Sequence, residues 1–216
     1  DVAVQHGDVL RYPAQCAPFL GIPHVDSALD AALEALVPAG DSVLLLGRLP
    51  AAVPAGWVLE PFADLAQLHC ERELPVIDGP QIIALDARHR ADVLALTALV
   101  YPHYFRPRTM ELGRYFGMYV GGRLAAIIGE RLGTPDTREM SAICTHPDFL
   151  GRGYARRLTA FLTNETLHAG KLPFLHVAYS NARAKTLYEQ MGYRLRRDIP
   201  FATLRRGDQS TVSRPT

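Results

Sequence analysis

The sequence has few cysteines and almost no net charge. Its 216 residues contain three cysteines, without a C-x-x-C pair, and 23 lysines and arginines against 22 aspartates and glutamates, for a net charge of +1. Scattered cysteines of odd number form neither a disulfide framework nor a zinc knuckle, so we expect a reducing, cytoplasmic setting and no metal. A nearly neutral chain also lacks the broad basic field that binding to nucleic acid or to a membrane surface requires.

Long apolar runs are missing as well. The run at residues 124–128 is far shorter than the ~20 residues that span a bilayer. Hydrophobic residues nevertheless make up 48% of the chain, which is the content of a globular protein rather than of a disordered one. The length is that of one large domain, or of one domain with a small partner.

The first 80 residues predict a small αβ subdomain of unknown role. Apolar side chains at Leu29, Leu33 and Leu36 have helical spacing and predict a helix over 27–37, which Pro38 ends. Short strands are predicted at 42–46 and 57–59. This part contains no motif that indicates chemistry, and the stretch 71–80, which is rich in proline and glycine, is predicted to be a linker.

Residues 81–205 alternate strands with helices and predict a second domain. Strands are predicted at 81–85, 115–120, 124–132, 138–145, 174–179 and 193–204. Helices are predicted after an N-cap at Asp86, at 154–168, and at 182–191, where Gly192 ends the last of them. This order indicates an α/β or α+β sheet of mixed direction. The polar tail, 206–216, is expected to be loose.

The segment 150–157, LGRGYARR, lies between a predicted strand and an amphipathic helix. Two glycines would let backbone N–H groups approach an anion, and a helix N-terminus adds partial positive charge. Arg156 at the sixth position departs from the dinucleotide-binding fingerprint. The segment alone therefore leaves two alternatives open, a diphosphate site or a tight turn with solvated arginines.

Two stretches together resemble the GNAT superfamily of N-acetyltransferases. They are the run TREMSAICTHPD at 137–148 with the loop LGRGYA at 150–155, and NARAKTLYEQMGY at 181–193, which is similar to the second signature N-x-x-A-x-x-L-Y-x-x-x-G-[FY]. The resemblance covers about residues 81–205 and looks closest to the group similar to the C-terminal domain of glycine N-acyltransferases. It implies a mixed, mostly antiparallel central sheet flanked by helices, and transfer of an acetyl group from acetyl-CoA to a primary amine by direct attack in a ternary complex.

The resemblance also implies a set of donor-binding residues. Backbone groups on one strand would pair with the pantetheine arm, the glycine loop would hold the pyrophosphate, and the start of the following helix would lie along both. These residues are Ile143, Cys144 and Thr145; Leu150, Gly151, Arg152, Gly153, Tyr154 and Ala155; and Asn181, Ala184, Lys185 and Tyr188. Leu150 stands where the family pattern [QR]-x-x-G-x-[GA] has Gln or Arg, so we expect weaker donor binding rather than its loss.

Acetyl transfer from a thioester needs a neutral amine and an expelled thiolate, and therefore a base and an acid. Tyr188 would face the thioester sulfur, where a hydroxyl can protonate the departing thiolate; the alternative is a core tyrosine. Glu139, predicted to share a strand face with Ser141 and Ile143, is the preferred base. Glu130 and a water relay are its competitors, and a salt-bridged glutamate is the alternative for both carboxylates. Cys144, in an apolar strand, is expected to be an inert core thiol.

The acceptor pocket is expected at the loop 101–110 and at the strand faces around Tyr115 and Tyr119. Tyr104 and Phe105 would form aromatic walls, and Arg106 or Arg108 would pair with a carboxylate of an amino-acid acceptor, unless they are ordinary surface arginines.

The acceptor is expected to be a small-molecule amine. A non-catalytic acyl-CoA-binding or interaction module and an acetyltransferase of protein N-termini or lysines are the alternative functions. The oligomeric state stays open, with a homodimer as one alternative.

Overall fold

A computed structural model describes residues 2–100, 102 and 104–207 of the chain. Its strands and helices in chain order are β1 (Val4–His6), β2 (Val9–Arg11), β3 (Leu20–Gly21), α1 (Asp30–Leu36), β4 (Ser42–Leu46), β5 (Trp57–Pro61), β6 (Leu65–His69), β7 (Ile83–Leu85), α2 (Arg90–Val100), β8 (Tyr115–Val120), β9 (Arg123–Gly133), β10 (Thr137–Thr145), α3 (Tyr154–His168), β11 (Leu172–Ala178), α4 (Ala182–Met191), β12 (Arg194–Ile199) and β13 (Phe201–Arg206). Apart from the strand predicted at 193–204, the predicted elements from residue 81 onward are recovered with small shifts at their ends. Of the predicted tail, 206–216, the part at 208–216 lies outside the described residues.

The chain forms two compact units, and the first is discontinuous in sequence. It contains residues 2–14, 18–64 and 199–207, whereas the second contains 15–17 and 65–198. The division therefore differs from the one expected near residue 80. The long strand predicted at 193–204 is also two strands, β12 and β13, with Pro200 between them; proline lacks the N–H that a continuing ladder would use.

The first unit holds two three-stranded sheets, in the orders β1-β2-β3 and β4-β13-β5. Helix α1 and these strands share a core that includes Leu33, Val43, Trp57 and Leu204. The three strands β1–β3 were not predicted, because each spans only two or three residues and shows no period. Buried Arg11 donates hydrogen bonds to the Leu36 carbonyl and to Asp41, which pairs its charge inside the unit.

The second unit is built on a seven-stranded sheet in the order β12-β6-β11-β10-β9-β8-β7. Strands β10 and β11 are parallel, whereas β6–β11, β10–β9, β8–β9 and β7–β8 are antiparallel. Helices α3 and α4 pack on one face through Leu158 and Met191. Helix α2 packs a separate core through Val93 and Leu96. These features confirm the predicted mixed, mostly antiparallel sheet with flanking helices.

The stretch 71–80 is part of the second unit, so the prediction of a linker was wrong. The Asn164 side chain binds both the N–H and the carbonyl of Leu74, at 2.8 and 2.9 Å. Arg157 donates to the carbonyls of Ile77 and Pro80. Prolines and a glycine keep this stretch out of regular structure, but side chains of α3 satisfy its backbone.

No helix among the described residues is long and apolar enough to cross a membrane.

Candidate active site

The two parallel strands of the large sheet are paired over only part of their length. Pairing between β10 and β11 runs from Thr137↔Leu172 to Glu139↔Phe174, although β10 continues to Thr145 and β11 to Ala178. The β10–β9 register shifts between Ser141 and Cys144, and Ala142 has a φ of 52°. This bulge breaks the alternation expected to put Glu139 and Ile143 on one strand face. The two strands thus form a split whose closed end lies at Glu139.

A cavity of about 800 Å³ lies beside this split, at the start of helices α3 and α4. It is lined by twelve of the thirteen residues predicted to bind the acyl donor: Ile143, Cys144, Thr145, Leu150, Gly151, Arg152, Gly153, Tyr154, Ala155, Asn181, Ala184 and Tyr188. Lys185 is the exception. Its Nζ lies 2.5 Å from Glu189 and 5.6 Å from the centre of the Tyr179 ring.

The loop before α3 has the backbone of an anion site. Gly151 and Gly153 have φ of 75° and 76°, a region that L side chains adopt at a cost. A Cβ at either glycine would meet no atom within 4 Å, so conformation rather than space calls for glycine. Helix α3 begins directly afterwards at Tyr154, and its first N–H groups and dipole favour an anion.

The charge of the cavity is positive. Its lining includes Arg152, Arg156 and Arg183, and no carboxylate of the described residues lines it. The Arg152 guanidinium lies 5.2 Å from the centre of the Phe149 ring, which positions it beside the loop. Leu150 also lines the cavity and is half exposed, so it adds apolar surface where the family pattern has a polar side chain.

Comparisons with known proteins agree with this geometry. The family of FR47-like proteins matches residues 115–202. A solved structure from Novosphingobium aromaticivorans, of an acetyltransferase from the GNAT family, is 31% identical in sequence to this chain. The match covers 95% of this chain and 92% of that chain, with a TM-score of 0.83. The chain belongs to the GNAT family of acetyltransferases.

More distant GNAT structures share the fold. A GCN5-related N-acetyltransferase from Kribbella flavida is 16% identical, with a TM-score of 0.62 over 93% of this chain and 88% of that chain. A GCN5-related N-acetyltransferase-like protein from Streptococcus suis is 17% identical, with a TM-score of 0.54 over 86% and 77%. No curated protein matches the sequence. The narrower resemblance to glycine N-acyltransferases stays a prediction.

Helix α4 brings the predicted acid of this GNAT protein to the cavity. Asn181 begins the helix by accepting a hydrogen bond from the Ala184 N–H at 3.2 Å. Two turns later, Tyr188 lines the cavity, although only 7% of the residue is exposed. Its ring centre lies 6.0 Å from that of Tyr193. Tyr188 is therefore a largely buried tyrosine that still borders the cavity.

The preferred base, Glu139, is buried and fully paired. Arg131 donates to its two oxygens at 2.7 and 2.9 Å, and His176 Nδ1 lies 2.8 Å from Oε1. Burial alone would raise the pKa of Glu139, but the Arg131 charge and hydrogen bonds, together with His176, lower it to about 2. Glu139 does not line the cavity, and a carboxylate with this pKa is a weak acceptor for the proton of an ammonium group.

The competing base, Glu130, is held in a similar pair. Arg114 donates to Glu130 Oε1 at 2.7 and 3.1 Å, and the Arg114 backbone N–H donates to Oε2. Only 4% of Glu130 is exposed. Both carboxylates thus have the partners of a salt-bridged strand glutamate.

Cys144 lines the cavity, and 5% of the residue is exposed. Burial raises the pKa of its thiol to about 12. Since the thiolate is the nucleophilic form, this environment does not favour a covalent acyl-cysteine. No group of three or more His, Cys, Asp or Glu side chains in the described chain is arranged to hold a metal ion.

The predicted acceptor residues lie in the second unit but outside the lining of the cavity. Phe105 packs edge-on against Tyr115, with ring centres 5.8 Å apart. Arg108 makes a two-pronged ion pair with Glu111 at 2.6–3.0 Å. Tyr104 is half-buried and Arg106 is exposed, whereas 101 and 103 of the same predicted loop lie outside the described residues. Tyr119 donates to Asp92 at 2.6 Å.

Several lining residues were not predicted. Arg183, Leu187 and Gln190 line the cavity from α4, and their i, i+4, i+7 spacing is a helical signal that could have found them. Val100 comes from the end of α2, and nothing in the local sequence links it to the glycine loop. The partners of Glu139 were missed for the same reason, since Arg131 and His176 lie on other strands.

Proposed function

We propose that this GNAT protein transfers an acetyl group from acetyl-CoA to a primary amine of a small molecule or amino acid, by direct attack in a ternary complex. The observation that carries the proposal is the donor cavity at the glycine loop. It combines left-handed Gly151 and Gly153, the start of α3 and three arginines with no lining carboxylate among the described residues. These features suit a diphosphate bonded to a long, neutral arm.

The split gives the neutral arm a place in this proposal. Backbone groups of Ile143–Thr145 lie past the end of the β10–β11 pairing and line the cavity. An amide-containing chain can hydrogen-bond such a strand edge as an added strand would. The thioester would then lie toward the closed end of the split.

Tyr188 would supply the acid. When the amine attacks the thioester carbonyl, the sulfur leaves as a thiolate, and the Tyr188 hydroxyl at the cavity wall would donate a proton to it. The high pKa of the Cys144 thiol supports direct transfer over an acyl-enzyme. The acceptor's identity and the cytoplasmic location stay predictions.

Calorimetric titration with acetyl-CoA, with NADH as the control diphosphate, tests donor binding. We expect saturable one-site binding of acetyl-CoA alone, followed by thiol release on addition of primary amines. Binding without thiol release for any amine, including peptide N-termini and lysines, would support a non-catalytic acyl-CoA-binding module. Release only with peptides would support a protein acetyltransferase. No binding of acetyl-CoA would overturn the donor assignment and implicate Leu150.

A further inference from the structure

A chain of polar side chains crosses five neighbouring strands at the closed end of the split. The strands β9, β10, β11, β6 and β12 are adjacent in that order in the sheet, and each contributes one side chain: Arg131, Glu139, His176, Gln67 and Arg196. Successive members are joined by contacts of 2.7–2.9 Å. No step of the proposed acetyl transfer described above uses these five side chains.

The hydrogen-bond donors at the two ends of this row of five side chains fix the protonation state and the tautomer of the His176 imidazole. Arg196 can only donate, and it donates to Gln67 Oε1 at 2.7 Å. The Gln67 amide nitrogen therefore faces His176 Nε2, at 2.9 Å, and the ring nitrogen must accept. At the other side, the ionised Glu139 accepts from His176 Nδ1 at 2.8 Å. His176 is thus a neutral imidazole with its proton on Nδ1 and its lone pair on Nε2.

Glu139 has little capacity to accept another proton. Both of its oxygens receive hydrogen bonds from Arg131, and the Leu132 N–H adds a further contact at 3.3 Å. The side chain is 1% exposed. A buried carboxylate in this arrangement orients and stabilises the ring that donates to it, as the carboxylate does in a histidine–carboxylate pair.

His176 lies on the sheet face opposite to Tyr188. Leu175 and Val177 share a core with Tyr188 and α3, so the residue between them on β11 projects to the other face. It lies two positions beyond Phe174, the last β11 residue paired with β10. An acceptor that approached the split from this face would have the imidazole on its own side and the tyrosine on the side of the leaving sulfur.

We propose that His176 accepts the proton that the acceptor ammonium must lose, with Glu139 and Gln67 as positioning residues. This inference rests on the proposed acetyl transfer and names the base of that same site. The His176 side chain is 6% exposed, and the Gln67 N–H group occupies the position on Nε2 that an ammonium N–H would take. The acceptor would therefore have to displace Gln67, which requires no change of tautomer.

The transfer conserves protons and electron pairs. The ammonium gives one proton to His176 Nε2, and the neutral amine forms the C–N bond as the C–S bond breaks. The sulfur takes the proton of Tyr188, which the surplus proton on the new amide nitrogen restores. His176 then releases its proton to solvent, so ammonium and thioester give amide, thiol and one proton.

The pH dependence follows from the groups around the ring. They are Glu139 on β10 with Arg131 behind it on β9, Gln67 and His69 on β6, and Arg196 on β12. Protonation of His176 removes the lone pair on Nε2, so kcat/KM for the amine should fall on the acidic side. The midpoint of this limb should coincide with the titration of His176 followed by NMR in the wild-type protein.

The NMR measurement also tests the ring without catalysis. Long-range ¹H–¹⁵N spectra of the ligand-free protein at pH 8 should show His176 protonated on Nδ1 and bare on Nε2. The opposite tautomer would overturn the proposal, as would a titration midpoint more than one pH unit from the acidic limb. This test needs no variant, so a variant that does not fold leaves the proposal testable.

Variants separate the base from its partners. His176→Gln should lower kcat by about 10²–10⁴-fold and abolish the acidic limb, with the Kd for acetyl-CoA unchanged. Glu139→Gln should lower kcat less, because Nε2 keeps its lone pair while the ring loses the carboxylate that orients it. Glu130→Gln loses a similar buried pair without contact to His176, so its limb should stay at the wild-type pH.

The outcomes distinguish the two proposals. No thiol release by the wild-type protein would overturn the proposed function itself. An active wild type together with a His176→Gln variant that keeps its rate and limb would overturn only the role of His176. A limb lost in Glu130→Gln, but kept in His176→Gln, would assign the base to Glu130.

Discussion

The donor cavity and the amine side of the site are built in different ways. The cavity depends on main-chain conformation, with two left-handed glycines, a helix start and a strand edge. The side chains predicted to handle the amine are instead held by other side chains. Glu139 binds Arg131 and His176, and Arg108 binds Glu111.

This difference separates two kinds of pre-organisation. A main-chain site keeps its N–H groups oriented whatever surrounds it, so the cavity would hold the proposed acyl donor in a fixed pose. A site of paired side chains takes its proton affinity from its partners, because each neighbour alters the charge that the group feels. Changes in the main chain of the cavity should therefore alter affinity, whereas changes to Glu139 and its partners should alter rate, pH dependence and stability.

At the cavity wall, replacement of the proposed acid should have the largest effect. Tyr188→Phe should lower kcat by about 10²–10³-fold, or about 3–4 kcal/mol of transition-state stabilisation, because the thiolate would leave unprotonated. Steady-state thiol release measures it. Tyr193→Phe is the matched control, since the Tyr193 hydroxyl is buried against Thr163 and Met140, and should cost stability without a comparable loss of kcat. A Tyr188→Phe variant within threefold of wild type would make Tyr188 a core tyrosine only.

The buried carboxylate should appear in the pH dependence of stability. The pKa of Glu139 is about 2 against an ordinary 4.5, which corresponds to on the order of 3 kcal/mol. Since the folded-state pKa is lowered, this stabilisation is complete above pH 4.5 and is lost as the pH falls toward 2. Urea unfolding of wild type and Glu139→Gln should show a gap in unfolding free energy that shrinks between pH 6 and pH 3. A gap independent of pH would contradict the ionised pair.

The role of Gly153 in the glycine loop can be tested against Gly122, which lies outside the loop and has the same backbone conformation. Gly153 and Gly122 have φ of 76° and 77°, and a Cβ on either has free space. Gly153→Val and Gly122→Val should each cost about 1–2 kcal/mol of stability. Calorimetry should show a rise of about tenfold in the acetyl-CoA Kd for Gly153→Val alone. Equal Kd values for both variants would mean that the loop does not bind the donor.

The sequence was most informative where the site is made of main chain. Gly151, Gly153 and Asn181 indicate a loop and a helix start by residue type, so most of the cavity lining could be predicted from local motifs. The partners of Glu139 could not, because Arg131 and His176 reach it through strand pairing across the sheet. The same limit applies to the fold, where Leu65–His69 joins the large sheet by pairing with β11, and no local pattern shows this.

The smallest effect is expected at Arg108. Its guanidinium is shared with Glu111 on the protein surface, so a substrate carboxylate would have to displace an existing partner, and solvent screens such exposed pairs so that they contribute little. Arg108→Ala should therefore raise the KM of an amino-acid acceptor by less than about fivefold. Glu111→Gln sharpens the test, because it frees the guanidinium and should lower the KM of carboxylated amines but not of simple alkylamines. If neither variant changes any acceptor KM, Arg108 is a surface arginine, and acceptor recognition lies elsewhere along the split.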